Sequence, residues 1–128
     1  MGTLKELREM GYEGVEFWSP YFDWTTAHAK ELRKQMDDLG LRCYSIHTDK
    51  KHFADEHLPH VIELNHLLGS RYVIMAHAGP QANLDGWRRT AEVLTKALPK
   101  LRRRTWAAAI TIGTWISGRW TGRVRLTS

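Results

Sequence analysis

Leu39-Gly40-Leu41-Arg42-Cys43-Tyr44-Ser45-Ile46-His47 puts a helix end, a turn and an apolar strand into one short stretch. Glycine accepts the left-handed conformation after a helix without a Cβ penalty, so the chain can turn straight from helix into strand. The same signal stands at Met10-Gly11, ahead of Gly14-Val15-Glu16-Phe17-Trp18, and at Leu68-Gly69, ahead of Arg71-Tyr72-Val73-Ile74-Met75-Ala76-His77. Gly11, Gly40 and Gly69 are therefore 29 residues apart. A fixed period of this length points to one repeated supersecondary unit. Helix, glycine, buried strand, loop and helix again is the rhythm of a parallel α/β protein.

The helices follow from the same periodicity. Thr3-Leu4-Lys5-Glu6 reads as a capping box, with Leu4, Leu7 and Met10 as the apolar stripe of a first helix. A second starts between Asp23 and Thr26 and turns Ala29, Leu32, Met36 and Leu39 inward. A third carries Pro59 in its first turn, where a missing N–H costs nothing, and faces Leu58, Val61, Ile62, Asn65 and Leu68 to the core. Asn83 caps a fourth, with the expected stripe Trp87, Ala91, Leu94, Leu98 and Leu101. Right-handed crossovers then set about three strands side by side and parallel, with four helices. A closed βα barrel takes eight such units and about 200 residues or more. If these units derive from such a barrel, a chain of 128 residues is an incomplete (β/α)8 fragment holding the second to fourth of them, and its sheet edges are open to self-association.

Charge divides the chain in two. Residues 1–99 hold 12 Lys and Arg against 14 Asp and Glu, whereas residues 100–128 hold 7 against none; the balances of −2 and +7 recover the overall +5. The domain is therefore placed at residues 1–101, followed by an irregular basic tail, 102–128, with Trp106, Trp115 and Trp120. Such a tail could contact phosphates and stack on exposed bases, a nucleic-acid-binding alternative to any enzymatic role. No apolar run approaches the roughly 20 residues of a membrane span. A single cysteine, Cys43, excludes an internal disulfide and suits a reducing cytoplasm; within an apolar strand it reads as a buried thiol.

In parallel α/β architectures reactive groups gather at the carboxyl ends of the strands. There the sequence puts Glu16 and Trp18, then His47 with Thr48 and Asp49, then His77. A carboxylate and two imidazoles on one rim suit proton transfer or metal binding. His57, His60, Glu63 and His66 look like ligands, but spacing by three fans them across half a helix circumference, which describes a solvated face.

Residues 2–101 resemble the sugar phosphate isomerases/epimerases with a xylose isomerase-like TIM barrel. The resemblance rests on Gly2-Thr3-Leu4-Lys5-Glu6-Leu7, Met10-Gly11-Tyr12-Glu13-Gly14-Val15-Glu16, Leu39-Gly40-Leu41, Ser45-Ile46-His47-Thr48 and Leu84-Asp85-Gly86-Trp87, in that order. It implies a barrel that uses a divalent metal to move a carbonyl or invert a stereocentre on a small sugar or sugar phosphate. It also implies that Glu16 and His47 line the pocket, with His77 as a further polar contact. The metal ligands are implied to come mostly from later strands, so this truncated chain is expected to bind no metal and turn over little. Related barrels include endonucleases, which gives a second alternative.

The tail departs from the resemblance. Family members usually carry a stretch like Tyr-His-Asn-His-Asp-x-Glu-Phe-x-x-x-Asp-Gly on the fifth strand. Reading the codons of Ala109 to Gly122 one base earlier forces aspartate across Trp115-Ile116, where the pattern has Glu, and again across Trp120-Thr121, where it has Asp. The same frame forces Arg or Trp where the second His belongs. Residues 102–128 are accordingly expected to be out-of-frame sequence, which sequencing of the encoding DNA tests directly.

Overall fold

A computed structural model of the protein describes residues 2–18 and 23–102, the side chain of His77 excepted, and the backbone at 115–116 and 119–120. The chain runs α1 (Gly2–Glu9), β1 (Gly14–Phe17), α2 (Thr26–Leu39), β2 (Arg42–Asp49), a 3-10 turn (Lys50–Phe53), α3 (Leu58–Leu68), β3 (Tyr72–His77) and α4 (Leu84–Arg102). The strands form one sheet in the order β1-β2-β3, parallel throughout. Three strands and four helices in this order make the parallel α/β arrangement that the glycine period predicts, a partial (β/α)8 barrel as the resemblance implies.

Gly11, Gly40 and Gly69 adopt φ of 93°, 69° and 72°, the region where a side chain is strained. At the end of α2 the Gly40 N–H donates to Asp37 O and the Leu41 N–H to Met36 O; Gly69 and Ser70 repeat this on His66 O and Asn65 O. These bonds close the helix and release the chain into the next strand. At the other end of α2 the Thr25 hydroxyl accepts from the His28 N–H, so the helix starts within the predicted window.

The core lies between the sheet and helices α2, α3 and α4. Ala29 and Met36 from α2 and Leu58, Val61, Leu64 and Leu68 from α3 meet Ile46, Val73 and Met75 from the strands. Ile46 pairs in register with Val73 and Thr48 with Met75, so these four share the sheet face turned to the core. Thr48 was expected at the reactive rim; it is instead 1% exposed on this apolar face, because alternation along β2 turns it away from His47. Its hydroxyl has no hydrogen-bond partner among the described residues. Thr48→Val, which keeps the shape and removes the unpaired group, is expected to raise stability by about 1 kcal/mol in urea unfolding.

Three helices differ from expectation. On α3, Leu64 is fully buried although it stands outside the expected stripe, and Ile62 within that stripe is only partly buried. α1 begins at Gly2, ahead of the proposed cap, so Thr3 stands inside the helix and Met10 is 70% exposed. α4 buries Gly86, Thr90, Leu94, Ala97 and Leu101, leaving Trp87 38% exposed and Ala91 outside. Small residues at 86 and 90 form a flat face, and Thr90 Oγ1 donates to Gly86 O at 3.0 Å, which satisfies the hydroxyl within its own helix. Asn83 Oδ1 accepts from the Gly86 N–H at 3.1 Å, as a cap should.

Cys43 is buried, and desolvation pushes its thiol up to about 12. At pH 8 only about one molecule in ten thousand would carry the thiolate. Alkylation by iodoacetamide is expected to be at least about a thousandfold slower in the folded chain than in urea. Comparable rates in the two states would contradict burial of this strand.

Most of the tail, and with it the question of its reading frame, lies outside the described residues. Within it β4 (Trp115–Ile116) pairs antiparallel with β5 (Arg119–Trp120), so the segment is not wholly irregular. No described helix is long and apolar enough to cross a membrane.

Candidate functional site

Pairing of β1 with β2 sets Glu16 beside Ser45, after a register shift between Val15 and Glu16. That irregularity aims the carboxylate across the face opposite the core. Ser45 and His47, two apart on β2, project to the same face. Ser45 Oγ donates to Glu16 Oε1 at 2.7 Å, and His47 Nε2 lies 3.2 Å from Glu16 Oε2. Both carboxylate oxygens are thereby engaged. Ser45 is 2% exposed and anchors the group, whereas the Glu16 side chain is 55% exposed and that of His47 28%. The result is an oriented carboxylate–imidazole pair that a ligand can reach.

Glu16 and His47 are thus brought together as expected. His77 ends β3 opposite Asp49 in the register, one step further along the rim; its side chain lies outside the described residues. Asp49 turns to its own loop. Its Oδ1 caps the 3-10 turn through the His52 N–H at 3.3 Å and meets His52 Nδ1 at 2.6 Å. Trp18, just past β1, is 59% exposed, and behind it Phe17 and Trp24 meet edge to face at 5.3 Å.

Sequence reasoning passed over Ser45. The signal was present: a small hydroxyl residue two positions before the strand-end histidine must share its face.

A catalytic divalent metal is ordinarily held by three protein ligands, with an open position for water or substrate. Glu16 and His47 supply two and are already bonded to one another. Among the described residues no group of three or more His, Cys, Asp or Glu side chains could hold an ion. The described residues do not by themselves fit a metal centre. On α3, His60 lies 3.9 Å from Glu63 and His57 lies 3.3 Å from Glu56, so these groups pair locally along the solvated face.

Comparison with known proteins gives the same architecture. A sugar phosphate isomerase/epimerase from Parabacteroides distasonis superposes with a TM-score of 0.68 at 19% identity, over 85% of this chain and 44% of that one. An AP endonuclease, family 2, from Brucella melitensis gives 0.69 at 15% identity, over 84% and 47%. A xylose isomerase domain protein from Planctomyces limnophilus gives 0.59 at 14%, over 84% and 48%. The chain thus spans under half the length of these structures, and likeness at such identities speaks for the fold alone. No curated protein matches the chain. The family described as xylose isomerase-like TIM barrel matches residues 4–112, most of the sequence, and the chain belongs to that family.

Proposed function

We propose that the chain is part of a sugar phosphate isomerase/epimerase-like enzyme that transfers a proton between adjacent carbons of a small sugar or sugar phosphate. The observation that carries this reading is the Glu16 carboxylate held by Ser45 and His47 on the accessible sheet face. Glu16 takes the proton from the carbon next to a carbonyl. Protonated His47 gives its proton to the carbonyl oxygen, so an enediol forms without a free oxyanion. Return of the proton from Glu16 to the neighbouring carbon, with the adjacent hydroxyl giving its proton back to His47, gives the isomer; the epimer requires a second acid on the opposite face of the same carbon. His77 supplies a further polar contact on the rim. The divalent ion implied by the resemblance would need donors beyond Glu16 and His47. The chain alone, in the cytoplasm, is expected to bind such sugars weakly and turn them over little.

Saturation-transfer NMR with a panel of small ketoses and their phosphates tests the binding half of the proposal. Weak signals that vanish in Glu16→Gln support it, and a silent panel at about 0.1 M sugar defeats it. The Brucella neighbour's name and the seven cations of residues 100–128 favour a second reading, nucleic-acid binding. Salt-sensitive binding of single-stranded DNA that disappears on removal of residues 102–128 would favour that one. Self-association through the outer edges of β1 and β3 belongs to the first reading, and sedimentation velocity that rises with concentration would reveal it.

A further inference from the structure

We infer, on the reading proposed for Glu16 and His47, that Asp49 is the second acid–base group of the rim and that the reaction is epimerisation at the carbon next to the carbonyl. Inversion needs a proton donor on the side of the carbon away from Glu16. Asp49 is the last residue of β2, and Ser45, His47 and Asp49 alternate onto one face of that strand. Glu16 reaches across from β1 to within 3.2 Å of His47 Nε2. Asp49 stands one same-face step further along, about 7 Å beyond His47. A trigonal carbon lying over His47 can then have a carboxylate oxygen about 3 to 3.5 Å away on either side.

The Asp49 carboxylate is held by more than the turn it caps. A cap needs one acceptor for the His52 N–H, and Oδ1 provides it at 3.3 Å. The same oxygen meets His52 Nδ1 at 2.6 Å, a shorter contact that the cap does not require. The His52 side chain is 9% exposed and its ring lies 5.5 Å from that of His57, so the imidazole is a fixed support. Oδ2 makes no hydrogen bond among the described residues, and the Asp49 side chain is 49% exposed. An exposed carboxylate backed by a buried polar side chain is also how Ser45 holds Glu16.

The proton balance closes with these groups alone. Glu16 takes the proton from one face of the carbon, the C–H electron pair forms the double bond of the enediol, and His47 protonates the carbonyl oxygen. Asp49, protonated at Oδ2, gives its proton to the opposite face while His47 recovers the one it lent and the carbonyl reforms. Glu16 ends protonated and Asp49 ends as a carboxylate held by His52; exchange with water resets both. From the other epimer the two carboxylates exchange roles.

Prolonged incubation of the full chain in D2O with D-ribulose and, separately, D-xylulose tests the assignment, since these ketoses differ only at the carbon next to the carbonyl. NMR follows loss of the proton on that carbon. Glu16→Gln is expected to slow exchange by about tenfold or more from one epimer only, and Asp49→Asn from the other only. Asparagine still caps the turn, so the loop is spared. Asp49→Asn that leaves both rates within about twofold overturns the assignment while the role of Glu16 stands. Equal slowing from both epimers also overturns it, leaving Asp49 a support of its loop. His77→Gln showing the pattern expected of Asp49→Asn would move the role to β3. Silence of the unaltered chain with both sugars defeats the proposed function and this assignment together.

Discussion

Leu64→Ala is expected to cost about 3 kcal/mol of stability, enough to leave a large fraction of this small domain unfolded. Leu64 is 0% exposed and sits midway along α3, flanked by Val61 and Leu68 at 1% each. α3 is the layer on which α2 packs and against which β2 rests. A void there cannot be filled from solvent, and the neighbours are held on separate elements, so collapse would be partial. Ile62→Ala, on the half-buried side of the same helix, should cost clearly less. Urea unfolding followed by circular dichroism reads both. A loss below about 1 kcal/mol for Leu64→Ala would mean that α3 does not pack as described.

The contrast between these two positions also marks how far sequence reading reaches. Helix α3 was legible only in part: period alone placed the buried Asn65 correctly, but it turned Ile62 inward, which is only partly buried, and passed over Leu64, which is 0% exposed. Strand order and direction were legible for another reason. Gly11, Gly40 and Gly69 each occupy a backbone region that other residues avoid, so a glycine at a fixed interval reports geometry as well as composition. Helix α4 shows where this stops. Periodicity weighs large apolar residues and so selects Trp87, Ala91 and Leu98, but close packing here favours the small residues Gly86, Thr90 and Ala97. Which of two competing faces turns inward depends on what lies opposite, and that is a tertiary fact.

The candidate site was legible to a similar degree. Strand-end position and residue type found Glu16 and His47. The alternation that links Ser45 to His47 was equally available, yet a serine carries no reactive signal until a carboxylate is seen within 2.7 Å of it. Thr48, adjacent to His47 in sequence, belongs to the core for the same stereochemical reason. In a strand, neighbours in sequence are neighbours in neither environment nor function.

On the proposed reading, Glu16→Gln should abolish most of the proton transfer in a completed barrel, by about a hundredfold or more. The superposition takes in 85% of this chain and 44% of the Parabacteroides structure, so the remainder of that protein can be joined to residues 2–101 in a chimera. In D2O, a chimera of this kind is expected to exchange deuterium into the carbon next to the carbonyl of a ketose substrate, and NMR follows that exchange whichever product forms. Glutamine preserves the size of Glu16 and can still meet Ser45 and His47, so the fold is spared while the base is lost. Ser45→Ala separates orientation from chemistry. It should lower the exchange rate by about tenfold, because the carboxylate persists but is held by His47 alone. A chimera that exchanges deuterium equally well with glutamine at position 16 would remove Glu16 from the reaction and leave its bonds to Ser45 and His47 a purely structural role.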